Sequence, residues 1–148
     1  METNKLKCSD LRIGNYVNYE NRPFEVIEIS PVSLVVRKKI GDIFEMQHRA
    51  LDVAQPIELT EELLLKIGFK KERQLISNLF YLDYETDVDN IIRVKYVIYP
   101  KAPSLLKITT SQCGNYECFE FMKRGIKYLH ELQNAYYLLT GKELEVEL

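Results

Sequence analysis

The sequence predicts an α+β fold with mostly antiparallel strands and two helices, near residues 60–68 and 123–140. Three patterns support this prediction. Short apolar segments separated by turn residues indicate strands in residues 11–55 and again in residues 75–121. One further segment carries both helix start and helix stop signals. Another has apolar residues at helical spacing.

Four short strands are predicted in the N-terminal segment, at residues 16–19, 24–29, 34–37 and 43–46. Glycine, proline and asparagine separate each strand from the next, so consecutive strands are expected to pair as hairpins. Short strands joined by tight turns favour a curled antiparallel sheet or a small barrel of SH3-like type.

The first predicted helix is bounded at both ends. Thr60 is a suitable N-cap, because its hydroxyl can accept a hydrogen bond from a free backbone N–H. Glu61 and Glu62 lie in the first turn, where carboxylates complement the helix dipole. Gly68 ends the helix, since glycine enters the left-handed region at little cost.

The second predicted helix is amphipathic. Its apolar residues recur at spacings of three and four and form one stripe: Ile126, Leu129, Leu132, Tyr136 and Leu139. Thr140 and Gly141 close the helix. The strict alternation of apolar and acidic residues in residues 144–148 predicts an edge strand.

The composition predicts one globular domain over residues 1–148, with a β subregion at about 11–55 and an α+β remainder at 56–148. The formal net charge is −2 and the pI is about 5.8. Proteins that coat nucleic acids without sequence preference are usually strongly basic, so this balance disfavours that class.

The three cysteines are an odd number, which disfavours a disulfide framework. Neither histidine lies near a cysteine pair, so no zinc site and no other metal or cofactor is predicted. No apolar run reaches about 18 residues, and the first residues lack the apolar region of a signal peptide. The expected location is the cytoplasm, without membrane contact.

Three segments in this order, LRIGNYV (11–17), PIELTEELLLKIGF (56–69) and IKYLHELQNAYYLLTGKEL (126–144), carry a family pattern. They resemble a family of small uncharacterised proteins encoded by gut-type bacteria, their prophages and other mobile elements. Leu63 stands where that family usually has tryptophan. The resemblance implies an accessory protein of a phage or mobile element, and it implies no catalytic residue.

Three cations, Lys123, Arg124 and Lys127, are predicted at the start of the second helix, where carboxylates are normally favoured. A bound anion would contact both the free N–H groups and these cations. Tyr116 and Tyr128 are near in sequence and could stack on a base. The pattern predicts a site for a small anionic, nucleotide-like ligand, with a solvated basic face as the alternative.

Four other cations, Arg12, Arg37, Lys38 and Lys39, are candidate nucleic-acid contacts on the N-terminal barrel. Acidic residues at alternate positions from Asp83 to Asp89 have the spacing of a calcium loop, but the required glycine and distal glutamate are missing. A hairpin turn is therefore expected there. His130 has no suitable partner in sequence and is expected to be a packing or surface residue.

The sequence thus predicts a non-enzymatic binding protein with no catalytic residue. It is expected to bind a host protein or to sequester a small anionic ligand, with evasion of host immunity as one use that the resemblance implies. Two alternatives stay open, a nucleic-acid-binding module built on the N-terminal barrel and an enzyme with an unrecognised site. A homo-oligomer is also an open alternative.

Overall fold

The computed structural model describes residues 5–73, 78–85, 91–99, 102–110, 119–121 and 125–148. It contains two antiparallel sheets and two helices, so the predicted α+β class is confirmed. The first sheet has four strands in chain order: β1 (Tyr16–Tyr19), β2 (Arg22–Ile29), β3 (Ser33–Ile40) and β4 (Ile43–Ala50).

Two-residue loops fix the register of two of the three strand pairs in the first sheet. Glu20 and Asn21 connect β1 to β2, and their φ angles of 53° and 61° are both positive, as a type I′ turn requires. Gly41, at φ 60°, and Asp42 connect β3 to β4. Glycine at the first loop position is typical of a type II′ turn, whose twist matches that of the flanking strands.

The first sheet curls back toward its first strand. Asn18 and Gln55 exchange two backbone hydrogen bonds of 2.8 and 2.9 Å, after a short 3₁₀ helix (Leu51–Val53) that follows β4. The hydroxyl of Tyr19 donates to the carbonyl of Ala50 at 3.1 Å. The curled sheet expected from the sequence therefore encloses one apolar core, formed by Leu6, Leu11, Val17, Tyr19, Phe24, Val26, Leu34, Val36, Leu51 and Ala54.

The second sheet has five antiparallel strands in chain order: β5 (Lys70–Arg73), β6 (Asn78–Glu85), β7 (Ile91–Tyr99), β8 (Ala102–Thr110) and β9 (Phe119–Phe121). β6 and β7 lie within residues 75–121, where the sequence predicts strands. β5 was not predicted, because its four residues are all charged and carry no apolar alternation.

The first helix, α1 (Glu61–Lys66), has the boundaries that the sequence predicts. The Thr60 hydroxyl accepts a hydrogen bond from the backbone N–H of Leu63 at 3.1 Å. Gly68 has a φ of 95°, and the chain turns back there so that Phe69 N–H donates to Leu64 at 3.0 Å. Phe69 is buried and covers the end of the helix.

The second helix, α2 (Leu129–Thr140), begins later than predicted. The start near residue 123 is wrong for residues 125–128, which are not helical. Backbone pairing prevails over apolar spacing there: Leu59 N–H donates to Lys127 at 2.9 Å, and Tyr128 forms an isolated bridge with Glu58. The predicted apolar stripe is confirmed within the helix, where Leu132 is fully buried.

The predicted edge strand at residues 144–148 is wrong, because no strand forms there. The alternation that suggested it does describe burial: Leu144 and Val146 are buried, whereas Glu145 and Glu147 are exposed. The period of two therefore reports an extended segment with one apolar side, and not a sheet ladder.

The described residues form two compact units. One draws on Met1–Glu58, Tyr128–Leu144 and Leu148, and the other on Leu59–Lys127 and Glu145–Glu147. Helix α2 thus belongs with the first sheet, although the sequence-based division placed it in the remainder. The single-domain expectation stays a prediction. Within the described ranges, no helix is both long and apolar enough to cross a membrane.

Candidate functional site

The hairpin of β3 and β4 is the most exposed apolar element of the first unit. β3 and β4 pair over eight residues without a bulge, from Ser33 opposite Ala50 to Ile40 opposite Ile43. Leu34 and Val36 point into the core. Since side chains alternate along a strand, the opposite surface carries the intervening residues.

Val35, opposite His48, lies on this side but is buried. We call the more exposed part of this surface the outer face of the hairpin, formed by Arg37, Lys39, Phe44, Met46 and His48. Phe44 is 53% and Met46 is 63% exposed. Two further apolar residues at the tip, Ile40 and Ile43, are also exposed, on the other side of the strands. Four large apolar side chains in one exposed hairpin exceed the scattered single residues of an ordinary surface.

An ion pair holds Arg37 in place on the outer face. Its Nε and Nη2 donate to the two carboxylate oxygens of Glu25 at 2.7 and 3.0 Å. These hydrogen bonds raise the pKa of Arg37 above its ordinary value. The guanidinium also lies 4.6 Å from the centre of the Phe44 ring. Arg37 therefore supports Phe44, and its charge is already neutralised by Glu25.

The neighbouring lysines have different environments. The ammonium of Lys38 lies 5.9 Å from the centre of the Phe24 ring, on the core side of the sheet. Lys39 is exposed and stands opposite Phe44 in the register. Lys39 takes part in none of the ion pairs found in the described part of the chain. It is the cation of the outer face that is available to a partner.

A row of polar side chains follows the core side of β4. Gln47 Nε2 donates to Glu45 Oε1 at 2.7 Å, and Arg49 Nε donates to Gln47 Oε1 at 2.8 Å. We call these three residues the polar relay. Arg49 also lies 5.8 Å from the centre of the Tyr19 ring. Burial raises the pKa of Tyr19 to about 12, and the charge of Arg49 opposes that rise.

Arg12, the fourth predicted nucleic-acid contact, is engaged elsewhere. Its Nη2 donates to Glu143 at 2.7 Å, and its guanidinium lies 3.8 Å from the centre of the Tyr137 ring. It anchors the loop before β1 to helix α2. Of the four predicted nucleic-acid residues, Lys39 alone has neither an ion pair nor a cation–π contact within the described residues.

Residues that the sequence did not single out hold the same loop. Gln133 Oε1 accepts from Tyr16 N–H at 3.0 Å, and Gln133 Nε2 donates to the Gly14 carbonyl at 2.9 Å. The buried Asn15 donates through Nδ2 to Asn134 at 2.9 Å. We call Asn15, Gln133 and Asn134 the loop clamp. It joins two of the three segments that carry the family pattern, and it satisfies buried polar groups.

The predicted anion site lies mostly outside the described residues. Lys123, Arg124 and Tyr116 belong to that part of the sequence. Lys127 lies before the helix begins, and the first turn of α2 instead receives Glu131, whose carboxylate accepts from Tyr128 N–H at 3.1 Å. The anion site was predicted because cations were expected in the first turn of the helix. Lys127 does not lie in that turn, so this reason does not apply to it. The site itself stays a prediction.

Histidine 130 is a packing residue, as expected. His130 is 4% exposed and its ring is parallel to that of Tyr128, with 5.9 Å between ring centres. Burial lowers the pKa of His130, while Glu131 and Asp10 oppose that shift. In the described part of the chain, Nδ1 of His130 has no hydrogen-bond partner.

The acidic run contributes an ion pair within the second sheet. Asp83 on β6 receives two hydrogen bonds from Arg93 on β7, and they lower the pKa of Asp83. Glu85 ends β6, and Asp87 and Asp89 lie outside the described residues. No group of three metal-binding side chains lies together in the ranges that the structure covers.

Comparison with known proteins gives no relative from which a site could be transferred. No protein-family model, no curated protein and no solved structure matches the chain. The resemblance carried by residues 11–17, 56–69 and 126–144 therefore stays a prediction. The outer face of the hairpin is the candidate site because of its own geometry.

Proposed function

We propose that this chain is a non-enzymatic binding protein that engages another protein through the outer face of the hairpin. The partner would present an apolar surface for Phe44 and Met46, with a carboxylate close enough to pair with Lys39. Phenylalanine, methionine and arginine are enriched where proteins meet, and a charged rim favours the correct partner.

The exposure of Phe44 and Met46 is the observation that carries this proposal. Leaving both in water forgoes the stabilisation that burial gives, roughly 1.5–3 kcal/mol for a large apolar side chain. The Glu25–Arg37 ion pair lies beside them, and the Arg37 guanidinium contacts the ring of Phe44 and restricts its position. A prepositioned aromatic side chain loses little entropy on binding, so it is a suitable anchor.

A protein partner is favoured over a nucleic acid by the state of the cations. Arg12 and Arg37 are each paired with a glutamate, and Lys38 lies beside Phe24. Nucleic-acid affinity grows with the number of phosphates that free cations neutralise. One free lysine beside apolar side chains suits a protein surface better.

The resemblance to small proteins of phages and mobile elements supplies the biological part of the proposal. We infer that the partner is a host protein met in the bacterial cytoplasm, and that blocking it serves evasion of host immunity. Sequestration of a small anionic ligand remains the second use proposed from the sequence, and it rests on Lys123, Arg124 and Lys127.

Binding to host proteins tests the proposal. Wild-type chain, a Phe44→Ser/Met46→Ser double variant and a Val32→Ser control are each immobilised and exposed to bacterial extract. Val32 is the matched control because it is 76% exposed but lies outside the hairpin. A protein retained by wild type and control is then purified and its affinity for all three chains is measured.

We expect the double variant to bind that protein at least about tenfold more weakly, because truncating an interface anchor typically costs over 1 kcal/mol. The Val32→Ser control should match wild type. Equal affinity of the double variant, or retention of nucleic acid alone, would show that the outer face is not a protein-binding surface.

A further inference from the structure

Strand β4 is unusual among the edge strands that the structure describes. It has eight residues, whereas the other edges, β1, β5 and β9, have four, four and three. β1 is also covered in part, since Asn18 bonds to Gln55. A long uncovered edge presents a row of backbone donors and acceptors to any extended chain.

The register identifies which backbone groups face outward. Ile40 and Ile43 flank a two-residue loop, so they form the first hydrogen-bonded pair of the hairpin. Pairs alternate from there, which places Phe44, Met46 and His48 in non-hydrogen-bonded pairs. Their N–H and C=O groups therefore point away from β3, toward the open edge.

β4 lacks four of the features that protect natural edges, and its charged residues Glu45 and Arg49 are the protective feature that it does have. Lysine, proline, a bulge or a short length prevents many natural edge strands from pairing with another chain. Residues 43–50 contain no lysine and no proline, and their pairing with β3 runs without a shift. An edge of this length without those four features can pair with a strand whose charges are complementary to Glu45 and Arg49.

The side chains of β4 are complementary to a second, antiparallel copy of the same strand. If Gln47 faces its own equivalent across a two-fold axis, Glu45 stands opposite Arg49 of the partner subunit, twice. Directly opposed residues share one face, and opposite charges there stabilise pairing. The polar relay engages only Oε1 of Glu45 and Nε of Arg49, so Oε2 and the terminal nitrogens remain for the partner.

We propose that β4 pairs with β4 of a second copy in this register, which joins two four-stranded sheets into one sheet of eight strands. In this register the outward N–H and C=O groups of Met46 would exchange hydrogen bonds with those of His48 of the second copy, and the same pair recurs across the two-fold axis. An isologous contact of this kind closes on itself and gives a dimer. The inference goes beyond the proposed function and does not depend on it, because it uses the backbone edge and the polar relay.

The inference is tested by exchanging the charges at positions 45 and 49 and measuring dimerisation of the full chain by sedimentation equilibrium. We compare wild type, Glu45→Arg, Arg49→Glu and the double exchange Glu45→Arg/Arg49→Glu. Wild type should be a dimer. Each single exchange opposes like charges and should raise the dissociation constant at least about tenfold, whereas the double exchange restores opposite charges and should recover dimerisation. Thermal unfolding of each variant checks that its fold is intact.

Hydrogen exchange of wild type gives a second measurement that needs no variant. The amides of Phe44, Met46 and His48 should exchange more slowly as protein concentration rises, because dimerisation pairs them. A wild-type monomer, a dimer indifferent to all exchanges, or amide exchange at these three residues that does not change with concentration would overturn the inference. Each result is separable from the proposed function, which is read from Phe44 and Met46 binding to a host protein.

Discussion

A buried histidine, whose Nδ1 has no hydrogen-bond partner among the residues that the structure describes, makes the stability of this protein sensitive to acid. His130 is almost wholly buried, and burial is the main cause of its lowered pKa. Glu131 and Asp10 favour the charged form and offset part of that effect. The neutral ring therefore packs against Tyr128 at neutral pH.

The pH dependence of stability follows from this shift. Below about pH 6.5 the unfolded chain takes up a proton at His130 that the folded chain resists. Stability should fall from that pH downward and level off below the folded pKa, with a slope of at most about 1.4 kcal/mol per pH unit from this residue. Urea unfolding of wild type and His130→Gln from pH 5 to 8 measures the difference. His48→Asn, at an exposed position, is the control, and an identical pH profile for wild type and His130→Gln would contradict the account.

The loop clamp explains why a glutamine is fully enclosed in α2. Both polar ends of Gln133 bond to backbone groups, at Gly14 in the loop before β1 and at Tyr16, the first residue of β1. Buried polar groups are tolerated when they are satisfied in this way. Position 133 therefore requires a side-chain amide with the length of glutamine.

Replacing Gln133 with leucine tests the clamp. The two backbone groups lose their partner, and each buried group left unsatisfied costs about 1–3 kcal/mol. Leu138→Ala on the same helix should change the free energy of unfolding by less than about 0.5 kcal/mol, because Leu138 is exposed. A Gln133→Leu variant as stable as wild type would show that the clamp contributes little.

At the scale of elements, two loops of equal length in the first sheet differ in backbone strain. Glu20 adopts a positive φ that costs most residues about 1–2 kcal/mol, whereas the second hairpin places Gly41 at that position. The first loop therefore stores strain that glycine would relieve.

Glu20→Gly should stabilise the protein by about 0.5–1 kcal/mol, because the relief exceeds the entropy that glycine loses on folding. Asp42→Gly is the matched control. Asp42 lies in the other loop, and its φ is not positive. Glycine there should destabilise the protein by about 0.4–1 kcal/mol, because it raises the conformational entropy of the unfolded chain. Thermal or urea unfolding compares the two, and the same sign for both would contradict this reading of the loops.

Local signals predicted the elements whose causes are local. The cap at Thr60, the glycine at position 68 and the apolar stripe around Leu132 each act within one helix, and all are confirmed. The start of α2 could not be predicted, because residues 125–128 pair with Glu58 and Leu59, which are distant in sequence. β5 likewise depends on pairing with β6 and not on its own charged residues.

The sequence predicted the cations of the candidate site but not its exposed apolar residues. Arg37, Lys38 and Lys39 were selected as cations, but sequence does not show that Glu25 neutralises Arg37. Phe44 and Met46 were missed. One signal was available: Ile43 and Phe44 are adjacent apolar residues, and in a strand they must point to opposite faces, so one of them is exposed unless both faces are covered.

In the whole molecule, the hairpin of β3 and β4 has two exposed surfaces that the apolar core does not require. The core side chains of β3 stabilise the first sheet, while the outer face and the open edge of β4 contribute nothing to that core. The outer face is proposed to bind a host protein, and the edge to bind a second copy. The two surfaces share a strand, so a dimer would present two outer faces on one continuous sheet.

Site-specific photo-crosslinking in bacterial cells tests whether the outer face of the hairpin binds a host protein. A photoreactive phenylalanine analogue replaces Phe44 in one chain and Val32 in the control, and covalent products are identified by mass spectrometry. Position 44 should yield a product with a host protein, and position 32 should not, because Phe44 lies on the outer face and Val32 does not. Absence of any product at position 44, products with its own chain alone, or the same products from both positions would contradict a protein-binding function for the hairpin.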